Sequence, residues 1–220
     1  MPAPKITLYV DIISPFAYMA FYTLRNSSVF KGCEITYVPI LLGGLMKLCG
    51  NTPPLMVKNK KQWFNKDRLR WASQLNVPMS QATPPEFPFN SMHIQRALTS
   101  LALARPELLE SAVALFWEHT WVLWREPDKA ENILALMKTV VGGEEEARRI
   151  VEAMQSEEVK RALVANTEQA FKDGAFGLPW FVATNAKGET EGFWGVDHIG
   201  HLCDHLELER EDGKAWRALL

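Results

Sequence analysis

The spacing of apolar residues changes twice along the chain. Residues 5–10, KITLYV, make a short β-rich run, and CEITYVPI at 33–40 makes another. Between them, 15–30 opens with PFAYMAFYTL and reads as a helix with Pro15 in its first turn, where a missing N–H costs nothing. Strand, helix and strand in this order predict a βαβ unit with a right-handed crossover. GGLMKLCGNTPP, 43–54, reads as loop or irregular chain. From about 57 to 173 the apolar residues recur every three to four positions, as in KNKKQWFNKDRLRWASQL, SMHIQRALTSLALA and ELLESAVALFWEHTWVLW. KAENILALMKTVV, EEEARRIVEAM and SEEVKRALVANTEQAFKDG continue the helical period, with Ser156 as a helix start and Gly174 as a stop. The proline-rich NVPMSQATPPEFPFN interrupts the block and cannot be helix. Strand character returns in LPWFVAT (178–184) and ETEGFWG (189–195), which flank the turn NAKG, and a final short helix starts near Asp197.

The order is therefore βαβ, a helical block, then ββα. This is the order of the thioredoxin fold. It predicts an α/β chain in which residues 1–56 and 174–220 build one thioredoxin-like domain, interrupted by an all-helical insertion domain at 57–173. That topology brings the end of the first strand, the proline before the third and the start of the last helix to one sheet edge, where ligands favour the carboxyl ends of strands.

Composition narrows the function classes. With 220 residues and 47% hydrophobic content, the chain can bury a sizeable core. Its 24 basic and 26 acidic residues are well mixed, without the basic stripe that nucleic acid or an anionic membrane would require. No apolar stretch approaches the roughly 20 residues that span a bilayer, and MPAPKITLYV lacks the regions of a signal peptide. Three widely spaced cysteines, Cys33, Cys49 and Cys203, do not form a disulfide framework and fit a reducing intracellular setting. The cytoplasm is the first expectation, with mitochondrion or peroxisome as alternatives, although the terminal RALL is not a convincing peroxisomal address.

The candidate chemistry lies in DIISPFAY, 11–18. Redox thioredoxins carry Cys-x-x-Cys at the start of the first helix; here the stretch is Ser14-Pro15-Phe16-Ala17. Without either cysteine, dithiol–disulfide exchange is not expected. A hydroxyl donor at a helix N-terminus instead suits holding another molecule's thiolate. A free thiol titrates near 8.5, so lowering it by roughly two units requires about 2.7 kcal/mol. One charge-assisted hydrogen bond, about 1.5–3 kcal/mol, and the helix terminus, about 0.3–1 kcal/mol, supply that amount. No histidine base is required.

Together, YVDIISPFAY, GGLMKLCGNTPP, DGAFGLPWFV and FWGVDHI, in register on the expected elements, resemble the kappa-class glutathione transferases and the related 2-hydroxychromene-2-carboxylate isomerases. The resemblance runs over nearly the whole chain and implies glutathione as cosubstrate, a small electrophile as second substrate, and a homodimer. It implies that Ser14 contacts the glutathione sulfur and that Pro15 and Phe16 continue that wall. It places Asn51 and Lys60 against the tripeptide, with Lys60 suited to the glycine carboxylate. Leu178, before a cis Pro179, would pair its backbone with the cysteinyl backbone of glutathione. Val196 and Asp197 would hold the γ-glutamyl end, Asp197 taking the ammonium. The animal kappa enzymes carry a hydroxyl residue where this chain has Val196, so a side-chain contact is lost there.

Four activities compete: conjugation or hydroperoxide reduction with glutathione; glutathione-dependent isomerisation; a non-catalytic glutathione or thiol carrier; and an oxidoreductase working through Cys49. RWASQLNVP resembles the isomerase branch and GNTPP the kappa branch. Among other candidates, His198, His201 and His205 share a helical face but are expected at the surface rather than on a metal. Trp117, Trp121 and Trp124, three to four apart, are expected as core or interface residues, or as pocket lining.

Overall fold

In the computed structural model, which describes residues 2–84 and 86–209, the two sheet-forming ends of the chain meet. β1 (Lys5–Val10) and β2 (Glu34–Pro39) run parallel and are joined through α1 (Pro15–Asn26) and a 3₁₀ turn, Ser28–Phe30. β3 (Trp180–Thr184) pairs antiparallel with β1, and β4 (Thr190–Trp194) antiparallel with β3. The four-stranded order β2-β1-β3-β4 is the thioredoxin-like arrangement that the element order predicts. Ile6, Leu8 and Val10 are almost completely buried in β1, which has a partner on each side.

The helices between β2 and β3 follow the predicted spacing, with two differences. First, 43–54 is not irregular throughout: α2 spans Leu42–Cys49. Two glycines weaken its intrinsic propensity, but tertiary contacts capture its start. Asp11 Oδ2 accepts from Leu42 N at 2.8 Å and Thr167 Oγ1 from Leu41 N at 3.0 Å. Gly50, with φ 68°, ends it. Second, the predicted long helix through 107–124 is broken. α5 (Leu109–Trp117) passes into a π-helical turn, Glu118–Val122, and Trp124 beyond it has a φ of 58°. The other helices are α3 (Lys60–Gln74), α4 (Met92–Ala104), α6 (Ala130–Val141), α7 (Glu144–Ala153), α8 (Glu157–Lys172) and α9 (Ile199–His205). Ser156 caps α8 as expected, its hydroxyl accepting from Val159 N at 3.2 Å, and Gly174 follows its end with φ 91°.

One cluster of buried side chains runs through both the sheet and the helical block, including Phe21, Phe30, Phe116, Trp117, Trp121 and Phe181. Trp117 lies against Phe21 with ring centroids 5.0 Å apart, so α5 seats directly on α1. No helix among the described residues is long and apolar enough to cross a membrane. The terminal RALL, and the end of the segment 174–220, lie outside the described residues.

Candidate active site

α1 begins where β1 ends. Ser14 is its N-cap, in extended conformation (φ −90°, ψ 111°), and its Oγ accepts from Ala17 N at 3.1 Å. That bond occupies a lone pair and leaves the hydroxyl proton to be donated. Ser14 is 5% exposed, with buried Pro15 behind it and half-buried Phe16 beyond. No acidic residue lies in the first turn, so the positive end of the helix is not neutralised from within α1.

Several of the other expected residues are joined to one another from distant parts of the chain. Phe16 packs edge-on to Phe64 at 5.5 Å, which joins α1 to α3. Phe64 stacks on Phe87 at 5.8 Å and Phe87 meets Trp121 at 5.2 Å, so a row of aromatic rings leads from the tip into the helical block. Asn51 donates from Nδ2 to Phe176 O at 2.8 Å, which ties the end of α2 to the segment before Leu178 and Pro179. The Leu178–Pro179 bond is cis. Pro179 O accepts from Gly195 N at 3.1 Å, which brings Val196 and Asp197 alongside. The turn 196–198 packs against α1. Gly195 has φ 92°, and a Cβ there would come within 2.2 Å of Asp197 Oδ1, so a side chain would displace that carboxylate.

Asp197 is exposed and pairs with His198 Nδ1 at 3.3 Å; Val196 is buried. Across from it, burial raises the Asp67 carboxyl above its ordinary range, Arg70 opposes this, and the charge of Asp197 adds to it, which places α3 close to this turn. Lys60 stands exposed at the first position of α3.

The turn bearing Ser14 rests on buried side chains that sequence reasoning did not single out. Asp11 accepts hydrogen bonds from Leu42 N, Ser91 Oγ (3.0 Å) and Ile13 N (3.2 Å). Gln95 Nε2 donates to Val10 O and Ile40 O, both at 2.7 Å, and Trp121 Nε1 donates to Ile12 O at 3.0 Å. The available signal was a charged residue inside the apolar run ITLYVDII, and a glutamine on the apolar face of a helix.

A profile of the DsbA-like thioredoxin domain matches residues 5–207. Glutathione S-transferase kappa 1 of Rattus norvegicus is 30% identical over 208 residues, covering 92% of this chain and 91% of the relative. The chain belongs to the kappa glutathione transferases, within the DsbA-like thioredoxin family. The 2-hydroxychromene-2-carboxylate isomerase of Sphingobium xenophagum is 26% identical over 203 residues, covering 91% of this chain and 97% of the relative. A solved structure of 2-hydroxychromene-2-carboxylate isomerase shares the fold with a TM-score of 0.73 at 23% identity, over 92% of this chain and 94% of the other.

Cys49 is at the C-terminal end of α2, where the helix dipole is negative, and its Sγ faces the carbonyls of Met46 (3.5 Å) and Phe176 (3.7 Å). His205 is engaged with Ala183 O and Glu189 O at 3.2 Å each, while His198 and His201 lie near the surface with ring centroids 5.6 Å apart. Among the described residues, no group of three or more His, Cys, Asp or Glu side chains is placed to hold a metal ion. Trp117 and Trp121 are fully buried, and half-buried Trp124 lines a surface pocket with Phe89 and Asn132.

Proposed function

We propose that this protein is a kappa-type glutathione transferase that ionises the glutathione thiol beside Ser14 and delivers it to a small electrophile or a hydroperoxide. The observation that carries the reading is the Ser14 cap: the hydroxyl is held at the tip of α1 by Ala17 N, with its proton available to a guest sulfur. Pro15 brings no N–H and Ala17 N is engaged by Ser14 Oγ, so the Phe16 amide is the further donor at the tip. Neither Ser14 nor any histidine has to ionise. In conjugation, the thiolate lone pair forms the new C–S bond, the leaving group departs with its electron pair, and the thiol proton has already passed to water. The backbone of Leu178 pairs with the cysteinyl unit, Asn51 and Lys60 meet the glycine end, and Val196 and Asp197 meet the γ-glutamyl end. The same reading carries a homodimer, which sedimentation of the purified protein tests.

Ser14→Ala removes the donor and the cap together. The expected result is an apparent thiol pKa of bound glutathione raised by about one to two units, and conjugation of a model aryl halide down by about tenfold or more. The lost cap lowers stability by about 1 kcal/mol. Unchanged conjugation in this variant would remove Ser14 from the mechanism. The isomerase relative supports a second reading, in which the thiolate adds to a bicyclic aromatic substrate and leaves again. Turnover without consumption of glutathione distinguishes it, and binding without turnover would leave only a carrier.

A further inference from the structure

Two chain connections share one buried polar node. The first, from β1 to α1, ends in Ser14; the second, from β2 to α2, leads through α2 to Asn51. Gln95, wholly buried on α4, bonds both: it donates to Val10 O of the first and Ile40 O of the second, and its Oε1 accepts from Ile12 N at 3.4 Å. Asp11, also wholly buried, does the same from the other side. Its carboxylate accepts from Ile13 N in the first connection and from Leu42 N in the second, while Ser91 Oγ donates to it from the residue before α4. Ser14 N donates to Asp11 O at 3.0 Å, and Trp121 Nε1 holds Ile12 O from the π-helical turn.

This is more than a strand-to-helix turn requires. An apolar core would tie the same elements without desolvating a carboxyl, and burial pushes Asp11 up to about 6 even with three donors opposing it. A fully bonded buried network fixes one geometry where apolar packing admits several.

We propose that Asp11 and Gln95 are positioning residues that fix the tip of α1 against α2, so that glutathione meets Ser14 and Asn51 in a single geometry. This rests on the glutathione reading above. The node touches no substrate; it acts by setting where the Ser14 hydroxyl and the Phe16 amide point relative to the sulfur. Loosening it therefore weakens thiolate stabilisation more than tripeptide binding.

The test compares Asp11→Asn, Ser91→Ala and Trp121→Phe with Ser100→Ala. Ser100 is a buried control on the same helix, its hydroxyl donating to Ile150 O at 2.8 Å, away from the turn. Bound glutathione is titrated through the ultraviolet absorbance of its thiolate, with kcat, KM for glutathione and melting temperature measured alongside. The node variants are expected to raise the apparent thiol pKa by about one unit and to lower kcat about tenfold, while KM stays within about twofold. Ser100→Ala is expected to lower the melting temperature only. Should Asp11→Asn not fold, Ser91→Ala decides, since it removes one hydrogen bond and keeps the packing. If the wild type ionises bound glutathione and every node variant titrates like Ser100→Ala, the node is overturned and the glutathione reading survives. A wild type that holds no glutathione overturns both.

Discussion

Asp11 carries the clearest pH signature of any single residue here. Its buried carboxyl is pushed up to about 6 by desolvation, against the opposing hydrogen bonds of Leu42, Ile13 and Ser91. In the unfolded chain it titrates near 3.9. Between those values the folded state binds more protons, so this group's contribution is full below about pH 4 and is lost as pH rises through about 6. The shift corresponds to about 3 kcal/mol. Denaturant titrations of wild type and Asp11→Asn should thus show the wild-type advantage shrinking from pH 4 to 6 and staying level above pH 7; an advantage that grows across that window would contradict the buried-acid assignment. Ser14 was legible in the sequence because Ser-Pro at a strand–helix junction is a local signal. Asp11 was not, because its importance lies in partners 31 and 80 positions away, Leu42 and Ser91.

At the scale of elements, the strands and most helices followed from hydrophobic spacing, and both failures have tertiary causes. α2 contains Gly43 and Gly44, which lowered its local signal; its start is held by Asp11 and by Thr167 on α8. α2 also packs on α8 at Gly44, where an added Cβ would make ordinary contact with the Thr167 methyl carbon at 3.5 Å. Thr167→Val is expected to leave Leu41 N without its acceptor and to destabilise the protein by about 1–3 kcal/mol. Hydrogen exchange should locate the change in α2 ahead of the sheet; uniform loss of protection, or none, would show that α2 does not depend on this bond. The π-helical turn after α5 was hidden because residues 118–124 keep an apolar spacing close to that of an α-helix. Its effect is to rotate Trp121 so that Nε1 reaches Ile12 O, while the ring lies 5.5 Å from the guanidinium carbon of buried Arg68.

Over the whole molecule, the order βαβ–helices–ββα was enough to predict the sheet, because a split sheet has few right-handed, short-connected solutions. The rim of the candidate site was legible only through the resemblance of DIISPFAY, GNTPP, GLPWFV and FWGVDHI to kappa-family segments. Asn51, Leu178, Pro179 and Val196 carry no chemistry that would single them out alone. What links them is the pairing of distant segments: Asn51 with Phe176, and Pro179 with Gly195. These join three stretches of chain, a pairing visible only once the two ends of the chain share a sheet. On the proposed function, a guest sulfur becomes anionic beside Ser14 in place of a resident cysteine. A crystal structure of the protein with glutathione tests it most directly. The cysteinyl sulfur is expected within about 3.5 Å of Ser14 Oγ and the peptide backbone alongside Leu178; a tripeptide whose sulfur points away from Ser14, or that lies elsewhere on the surface, would contradict the proposed role of Ser14.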